Sequence, residues 1–510
     1  MKSFFYISLI AACFFTFSCN DTVPTETIVP IEDLLDSLLA WDLNPNGKTP
    51  LSGELIIKTK ENCSVNLQLA EDETVKFSSP NGTLHAFNVI GLFAGTTNTM
   101  QITVRTEDGE FNASDDIQIE TAPLPDFFPD IEILTANTSE MEAGWNFLEL
   151  NIGSPEGFLF YPIVFDAQGR VRYYIDLSPI EQWIGPIRFT ENNSWQYSHF
   201  NYLDEFDLLF NKVDNWSFGN QYTHHDFYKK ENGNVLFLTS EGGTDTQQDR
   251  LIEYNPSAEA VVTTWDFRDY LDVSRNEMNW NTSDWVHTNS ISYIENQNLN
   301  VVSGRYQGVF AFTDDQQLQW ILAPHKGWEQ AGANGDSFET ADYLLTAVDA
   351  NNVPYSEEVQ LGLESADDFS WTWGQHACQA LENGNVVCFD NGWKTNFNGN
   401  AEYSRMVEFE IDPVAMTVKQ VWEYGKERGV ELFSSNISDV DVLPETSNRL
   451  MIPGNVRLTP VPQSRMVELK YPSNEVVFEA VVRFKNAFSN GGGWAQTDIV
   501  YQGERINFFK

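Results

Sequence analysis

A repeated pair of β-hairpins constrains the fold of this chain more than any other feature. The pattern Arg-(Leu/Met)-(Ile/Val)-Glu begins at Arg250, Arg405 and Arg465, and the word SRMVE occurs twice unchanged. A turn and a second apolar run follow each copy, and two of these runs end at Trp265 and Trp422. Another hairpin precedes three of the units, which gives four strands per unit. Units of this kind bury their apolar faces against one another, so the repeat predicts the blades of a β-propeller.

The number of copies sets the predicted size of the propeller. Four copies are clear, because the related unit GVFAFTDDQQLQWIL, with Trp320 near its end, joins the three that begin at an arginine. A weaker early copy lies at residues 158–176. We expect a sixth unit to be split between the region near residues 190–220 and the end of the chain. The predicted fold class is therefore all-β, with a six-bladed β-propeller as the catalytic domain over residues 126–510.

A smaller β-domain is predicted ahead of the propeller. A chain of 510 residues is too long for one core. Residues 46–125 contain short alternating segments such as GELIIKT, CSVNLQL and MQITVRT, with turn residues between them. Strands at this spacing are typical of a small β-sandwich. The proline-rich stretch TAPLPDFFPD reads as the linker that ends it.

The first residues, MKSFFYISLIAACFFTFSC, are typical of an export signal, with a positive Lys2 and an apolar run over residues 4–17. Ser18 before Cys19 resembles a bacterial lipoprotein signal, in which residues 1–18 are removed and the Cys19 thiol is acylated. Residues 19–45 are then a tether. We expect an exported protein, periplasmic or on the cell surface, that is lipid-anchored to a bacterial membrane. The alternative is ordinary secretion with a leftover cysteine.

The acidic composition limits the partners of the protein. Its 30 lysine and arginine residues stand against 74 aspartate and glutamate residues, which gives a formal net charge of −44. General nucleic-acid binding is excluded because no basic stripe can neutralise the phosphates. The same negative charge argues against peripheral binding to anionic lipid, so the lipid anchor is the only membrane contact that we expect. Solubility is the simplest explanation of the acidity.

Histidines recur at one place in the repeat, although the chain has only seven of them. His225 and His376 each stand eight residues before the turn glycine of a first hairpin, and His287 begins another first hairpin. Equivalent positions in successive blades lie on a ring around the central channel. We therefore expect the three side chains to converge. Arg305 ends the strand that returns from His287 and is expected at the same end of the channel.

Three histidines and an arginine are compatible with a zinc site, a structural cluster or an anion site. Zinc is disfavoured because an arginine beside a cation is unfavourable, and the other copies carry no carboxylate at the matching place. In a structural cluster the histidines would only bond neighbouring strands. In an anion site arginine supplies a forked cationic donor, and a neutral imidazole nitrogen can act as a nucleophile. We favour the anion site and expect no metal and no cofactor.

Five ordered segments make the resemblance to a known family specific. HHDFYKKENGNVLFL, DWVHTNSISYIENQNLNVVSGRYQ, WILAPHKGW, GQHACQALENGNVVCFDNG and the pair SRMVEFEID and VWEYG resemble, in this order, the bacterial aryl-sulfate sulfotransferase family. The resemblance runs from roughly residue 45 to the end and includes the N-terminal β-domain. It implies a PAPS-independent transferase that moves a sulfuryl group from a phenolic sulfate ester to a phenol acceptor. The implied route is ping-pong, through a sulfohistidine intermediate.

The same resemblance implies the roles of individual residues. His376 matches the nucleophile that becomes transiently sulfated, and His287 and Arg305 match sulfate-binding and acid–base residues. The remaining active-site histidine matches the HHD segment. That segment contains His224 and His225. We assign His225 to the active site, because it stands eight residues before the turn glycine and His224 does not. Two further residues are expected to contact the substrate: His224 and Asn289.

Three cysteines remain outside the N-terminal signal, and they do not form a zinc pattern. Cys378 and Cys388 lie on either side of an Asn-Gly turn, so we predict a disulfide that holds the hairpin of His376. Two buried thiols are the alternative. Cys63 would then be a lone buried thiol.

Two other functions remain open from the sequence. One is a non-catalytic propeller that binds a ligand or a partner through the same ring of residues. The other is an aryl-sulfate hydrolase, in which water replaces the phenol acceptor. The expected partners are small molecules, an aryl sulfate donor and a phenolic acceptor, and a homodimer stays open.

Overall fold

The structure is a computed structural model that describes residues 27–37, 40–154, 157–178, 186–486 and 497–509. Nearly all regular structure in these residues is β-strand, so the all-β prediction is confirmed. The chain divides into two compact units. The first includes residues 56–86 and 99–118, and the second includes residues 41–55, 87–98 and 119–510.

The N-terminal strands belong to one six-stranded sheet. Along Gly53–Leu69, side chains such as Cys63, Val65 and Leu67 are buried and their neighbours are not. Successive side chains of a strand point to opposite faces, so this alternation gives the strand one apolar face. The hydrogen-bonded order is Thr27–Ile28, Phe111–Glu120, Thr97–Thr106, Gly53–Leu69 and Ala40–Leu43, with Asp72–Val89 paired to Gly53–Leu69.

Six sheets of four or five strands follow one another in the described part of the second unit. Within each sheet, neighbours along the chain pair antiparallel, as in consecutive hairpins. The sheets, in hydrogen-bonded order, are Val171–Tyr174, Gly157–Phe165, Trp145–Ser154 and Ile499–Ile506; Ile187–Phe189, Trp195–His199, Tyr202–Phe206 and Lys212–Ser217; Gln221–Lys229, Val235–Glu241, Arg250–Asn255 and Ala260–Asp266; Thr288–Ile294, Leu299–Gly304, Gly308–Thr313 and Leu318–Leu322; Thr346–Ala347, Thr417–Tyr424, Arg405–Asp412, Val386–Asp390 and His376–Ala380; and Asp439–Val442, Arg449–Ile452, Gln463–Lys470, Glu475–Arg483 and Asp130–Ala136.

The first strands of successive sheets pack against one another. Gln221–Lys229 contacts Thr288–Ile294, which in turn contacts His376–Ala380, and that strand contacts Asp439–Val442. This is the way in which propeller blades place their inner strands around a channel. The hydrophobic core lies between the sheets, where Trp265, Phe310 and Trp320 are almost fully buried. The start of each inner strand is therefore held by well-packed sheets on both sides.

The predicted split of the sixth unit is wrong. Residues 187–217 form a four-stranded sheet of their own. The strand Ile499–Ile506 pairs instead with Trp145–Ser154, in the sheet of the weaker early copy. Asp130–Ala136 is the outer strand of the last sheet, paired with Glu475–Arg483. The two ends of the second unit thus each complete a sheet begun at the other end, and a repeat read along the chain does not reveal such an exchange.

Helical segments are short and connect the strands. Among the described residues, none is long and apolar enough to cross a bilayer. The α-helical segments are Ile31–Leu34 and Glu357–Gln360, and the 3-10 segments are Phe267–Asp269, Glu295–Gln297, Thr340–Tyr343, Thr395–Phe397 and Lys426–Glu431.

Candidate active site

The three histidines of the predicted ring lie on or beside the inner strands of their sheets: His287 directly precedes Thr288–Ile294, His376 begins His376–Ala380, and His225 lies in the middle of Gln221–Lys229. In all three sheets the pairing of the inner strand with its neighbour is interrupted at or beside the histidine. His225 and His287 also have a left-handed backbone, with φ of 58° and 52°. A non-glycine residue in this region costs about 1–3 kcal/mol, and a break in strand pairing redirects a side chain. The repeat thus carries a recurring irregularity at the position of its histidines.

These histidines and Arg305 meet in one site, although they come from three sheets. Nε2 of His225 lies 3.2 Å from Nε2 of His287. The ring centres of His225 and His376 are 6.2 Å apart. Nη1 of Arg305 lies 3.3 Å from Nε2 of His376. The structure therefore brings together all four residues that the sequence singled out.

His376 is a buried, neutral imidazole. The residue is 4% exposed, and its Nδ1 lies 2.8 Å from Oδ1 of Asn391. Burial lowers the pKa of His376 well below its usual value, and the Arg305 guanidinium lowers it further. The ring therefore stays uncharged at neutral pH, which is the form in which a histidine nitrogen can attack an electrophile.

Arg305 is a buried cation without a carboxylate partner among the described residues. Its Nη2 donates to the carbonyl oxygen of Ser435 at 2.9 Å. The guanidinium carbon lies 5.1 Å from the centre of the Trp393 ring and 5.9 Å from that of Tyr306. Burial lowers the pKa of Arg305, but an arginine keeps its charge at any physiological pH. A buried charge that lacks a counter-ion is well suited to bind an anion.

His287 has a carboxylate partner that no sequence pattern indicated. Its Nδ1 lies 2.8 Å from Oδ2 of Asp284, which stands three residues earlier in the segment DWVH. A carboxylate at Nδ1 fixes the orientation of the ring and favours a proton on that nitrogen. His225 has no such carboxylate, and its Nδ1 has no hydrogen-bond partner among the described residues. Burial lowers the pKa of His225 well below its usual value, and the nearby histidines and the Arg305 guanidinium lower it further.

A cavity of about 690 Å³ runs along the inner strands next to these residues. Its lining includes His225, His376 and Asn289. The Asn289 side chain donates to the backbone oxygen of Gln375 at 2.7 Å and is 6% exposed. Tyr501 also lines the cavity, and its ring stacks on that of His225 with the centres 5.6 Å apart. No sequence signal indicated Tyr501, because it lies on the C-terminal strand that joins the sheet of the early copy.

His224 lies beside the site but does not line this cavity. Its ring centre is 3.8 Å from that of His225 and 5.8 Å from that of His287. Burial lowers the pKa of His224 well below its usual value. His224 therefore packs against His225 and His287, and of the two adjacent histidines it is His225 that lines the cavity.

The sulfur atoms of Cys378 and Cys388 are bonded in the structure, at 2.22 Å. The bond joins His376–Ala380 to Val386–Asp390, the two strands of the hairpin that begins with His376. Cys63 is buried and free. The bond thus lies in the same hairpin as the buried imidazole.

Two family models match this chain. The model described as arylsulfotransferase (ASST) matches residues 132–492, and the model described as the arylsulfotransferase Ig-like domain matches residues 40–122. A solved protein of unknown function from Bacteroides thetaiotaomicron aligns over 88% of this chain and 98% of its own, at 11% identity and a TM-score of 0.32. At a TM-score this low, the alignment is not evidence for a shared fold or function.

Two curated relatives share a shorter stretch. The arylsulfate sulfotransferase AssT of Escherichia coli O6:H1 (strain CFT073) is 36% identical over 202 residues, and that of Lelliottia amnigena is 32% identical over 203 residues. Each match covers 38% of this chain and 32% of the relative, so the match spans about a third of the length of these relatives. The long family-model match covers far more, about seven tenths of the residues and all the ring positions. This chain belongs to the arylsulfotransferase family.

Proposed function

We propose that this protein is a PAPS-independent aryl-sulfate sulfotransferase that carries the sulfuryl group on His376 between two phenols. The observation that supports this most is the contact between His376 and Arg305. A neutral imidazole nitrogen and a buried guanidinium without a carboxylate partner lie 3.3 Å apart. One can attack sulfur while the other holds the sulfate oxygens. This arrangement favours a group-transfer site over a cluster that only bonds strands.

In the first half-reaction, Nε2 of His376 attacks the sulfur of an aryl sulfate ester. The S–N bond forms as the S–O bond to the aryl group breaks, and the electron pair of that bond leaves on the phenolate oxygen. Sulfuryl transfer resembles phosphoryl transfer, in which a planar anionic group passes in line between two atoms. Positioning and charge stabilisation then provide most of the catalysis. The Arg305 guanidinium is suited to the developing charge on the sulfuryl oxygens.

The leaving phenolate needs a proton, and His287, with His225 beside it, is suited to provide one: a His287 imidazolium, whose charge Asp284 balances, gives up its Nε2 proton and becomes neutral. The Nε2 atoms of His287 and His225 lie 3.2 Å apart, a hydrogen-bond contact that requires a proton on one of them. Asp284 fixes the ring of His287 from the other nitrogen. In the second half-reaction the same pair accepts the proton of the incoming phenol. That phenol then attacks the sulfur of the sulfohistidine and releases His376.

Three aromatic rings surround the charged groups and are suited to the aryl part of the substrates. Tyr501 stacks on His225, and Tyr306 lies 5.4 Å from His287 between ring centres. Trp393 lies 5.7 Å from Tyr306. Aromatic pairs at such separations contribute about 0.5–1.5 kcal/mol beyond the area that they bury. A phenol is therefore a better fit to this site than an aliphatic alcohol.

The phenol dependence of turnover tests the proposed function. We expect a chromogenic aryl sulfate to be converted rapidly only when a phenol acceptor is added, because the sulfohistidine then has a partner. The measurement is release of the chromogenic phenol with and without acceptor, together with detection of the sulfated acceptor. Equal turnover without acceptor would identify a hydrolase, and no turnover with a panel of aryl sulfates would leave a binding protein. Either result contradicts the proposal.

The proposed location is outside the cytoplasm, on a lipid anchor at Cys19. The signal segment 1–18 and Cys19 lie outside the described residues, so this proposal depends on the sequence alone. We expect Cys19→Ser to release the protein from the membrane fraction or to block its processing, because the acylated thiol is the tether. Fractionation and mass spectrometry of the mature N-terminus measure this. A variant that stays in the membrane fraction with normal processing would contradict the anchor.

A further inference from the structure

We propose that Asn391 is a positioning residue that fixes the tautomer of His376, so that Nε2 is the nitrogen that attacks sulfur. This inference rests on the proposed function, because it concerns the nucleophile of that reaction. Asn391 follows the strand Val386–Asp390, which pairs with His376–Ala380. Its side chain is fully buried beneath the imidazole.

The orientation of the Asn391 amide follows from its other contacts. Its Nδ2 donates to the carbonyl oxygens of Ser434 at 2.7 Å and Ile437 at 3.0 Å. Carbonyl oxygens only accept, so the amide nitrogen must face them and the amide oxygen must face His376. Amide orientation is assigned from such networks, and here two acceptors determine it together.

The amide oxygen in turn determines which nitrogen of the His376 imidazole carries the hydrogen. Oδ1 of Asn391 lies 2.8 Å from Nδ1 of His376 and can only accept. Nδ1 must therefore carry the hydrogen. A neutral imidazole has one N–H, so Nε2 carries the lone pair. The position of Arg305 is consistent with this assignment, because its Nη1 can only donate and lies 3.3 Å from Nε2 of His376.

One loop holds both the amide and the arginine. Residues 434 and 437 offer carbonyls to Asn391, and the carbonyl of Ser435 accepts from Nη2 of Arg305. Ile437 has a left-handed backbone, with φ of 50°, which is uncommon for a β-branched residue. Strain of this kind persists where surrounding contacts impose it. The loop thus fixes the amide on one side of the His376 ring and the cation on the other.

The fixed tautomer has a chemical consequence. When the Nε2 lone pair forms the S–N bond, the hydrogen on Nδ1 stays in place and keeps its bond to Asn391. The sulfated ring then carries a positive charge, which makes it a good leaving group for the incoming phenol. A neutral amide supports Nδ1–H without adding a negative charge near the arriving sulfate anion. A carboxylate would raise the pKa of the imidazole and favour the cation, which has no lone pair to donate.

The tautomer can be measured without any substrate. Long-range ¹H–¹⁵N spectra of the full-length protein with ¹⁵N-labelled histidine distinguish a protonated Nδ1 from a protonated Nε2. The chain has seven histidines, and His376→Asn identifies the signal by its loss. We expect wild-type His376 to be a neutral ring with hydrogen on Nδ1. A hydrogen on Nε2 would overturn the proposal, whether or not the protein transfers sulfate.

Asn391→Ala removes the acceptor and tests the consequence for catalysis. Without an acceptor, sulfation of His376 should release about one equivalent of phenol in a rapid burst. We expect Asn391→Ala to lose the fixed tautomer and the rate constant of this burst to fall by roughly 10²-fold. A wrong tautomer costs about 10⁴-fold in a Ser–His–Asp site. Because the sulfate-binding groups remain, the KM for the aryl sulfate should change much less than kcat. A burst as fast as that of the wild type would overturn the proposal.

Ser404→Ala is the matched control. Its buried hydroxyl donates to the backbone oxygens of Asn391 and Ser434, so its loss loosens the same loop but leaves the contact to His376 intact. We expect lower thermal stability with the wild-type tautomer and burst. If Ser404→Ala slows the burst as much as Asn391→Ala does, loop packing explains the loss and the proposal is wrong. If the tautomer is as expected but no aryl sulfate is turned over, the proposed function fails while the assignment of the hydrogen stands.

Discussion

His376→Asn is expected to abolish both the burst of phenol and steady-state turnover. Mixing the wild type with an aryl sulfate and no acceptor should release about one equivalent of phenol, since each active site can be sulfated once. Asparagine keeps a polar side chain of similar reach toward Asn391, but it has no imidazole nitrogen to attack sulfur. Rapid mixing with a chromogenic sulfate measures the burst. Mass spectrometry at mildly alkaline pH should find the added group on the wild-type peptide that contains WTWGQHACQ.

A matched control separates this effect from a general loss of folding. His85 is a buried histidine of the N-terminal β-domain, where it bonds to Ser79 and Gly82. We expect His85→Asn to keep the burst, since it makes the same change far from the ring histidines in sequence and in a different sheet. If His376→Asn kept the burst while His225→Ala or His287→Ala lost it, the nucleophile would be misassigned, even though the family membership would stand.

Arg305→Lys is expected to lower turnover by about 10²-fold, the scale of losing one oriented donor to a developing negative charge. The guanidinium contacts His376 through one nitrogen and the carbonyl of Ser435 through the other. Lysine keeps the charge but loses this planar fork. The covalent site remains, so a slower burst should still reach about one equivalent. Stopped-flow measurement of burst rate and burst size separates the two quantities.

The other ring histidines should give a related defect. His225→Ala and His287→Ala remove groups suited to move the proton of the phenol, so turnover should fall while the peptide of His376 can still be sulfated.

Arg483→Lys is the matched control for Arg305→Lys, because Arg483 pairs with Glu132 at the outer edge of the last sheet. Turnover of Arg305→Lys within about threefold of the Arg483→Lys control would contradict an anion-binding role for the fork.

The repeat explains why the four central residues could be predicted. His225, His287 and His376 occupy one position of a recurring hairpin, and equal positions in successive sheets meet around a common channel. Arg305 follows from the same pattern, because it ends the strand that returns from His287. The sequence also predicted the all-β class and the pairing of Cys378 with Cys388 across a tight turn. Each of these inferences needs only the order of strands and the length of a hairpin.

The remaining site residues become neighbours only when sheets and loops close around the channel. Asp284 reaches His287 through a local bend, and Asn391 reaches His376 from the end of the next strand. Tyr501 arrives on Ile499–Ile506, which crosses to the sheet of the early copy. The sequence by itself determined the repeated hairpin and the ring of imidazoles, because periodic apolar residues and turns specify strands one after another. The tertiary structure decided which sheet each end of the chain completes and which amide and carboxylate orient the imidazoles, because those contacts join residues that no repeat spacing relates.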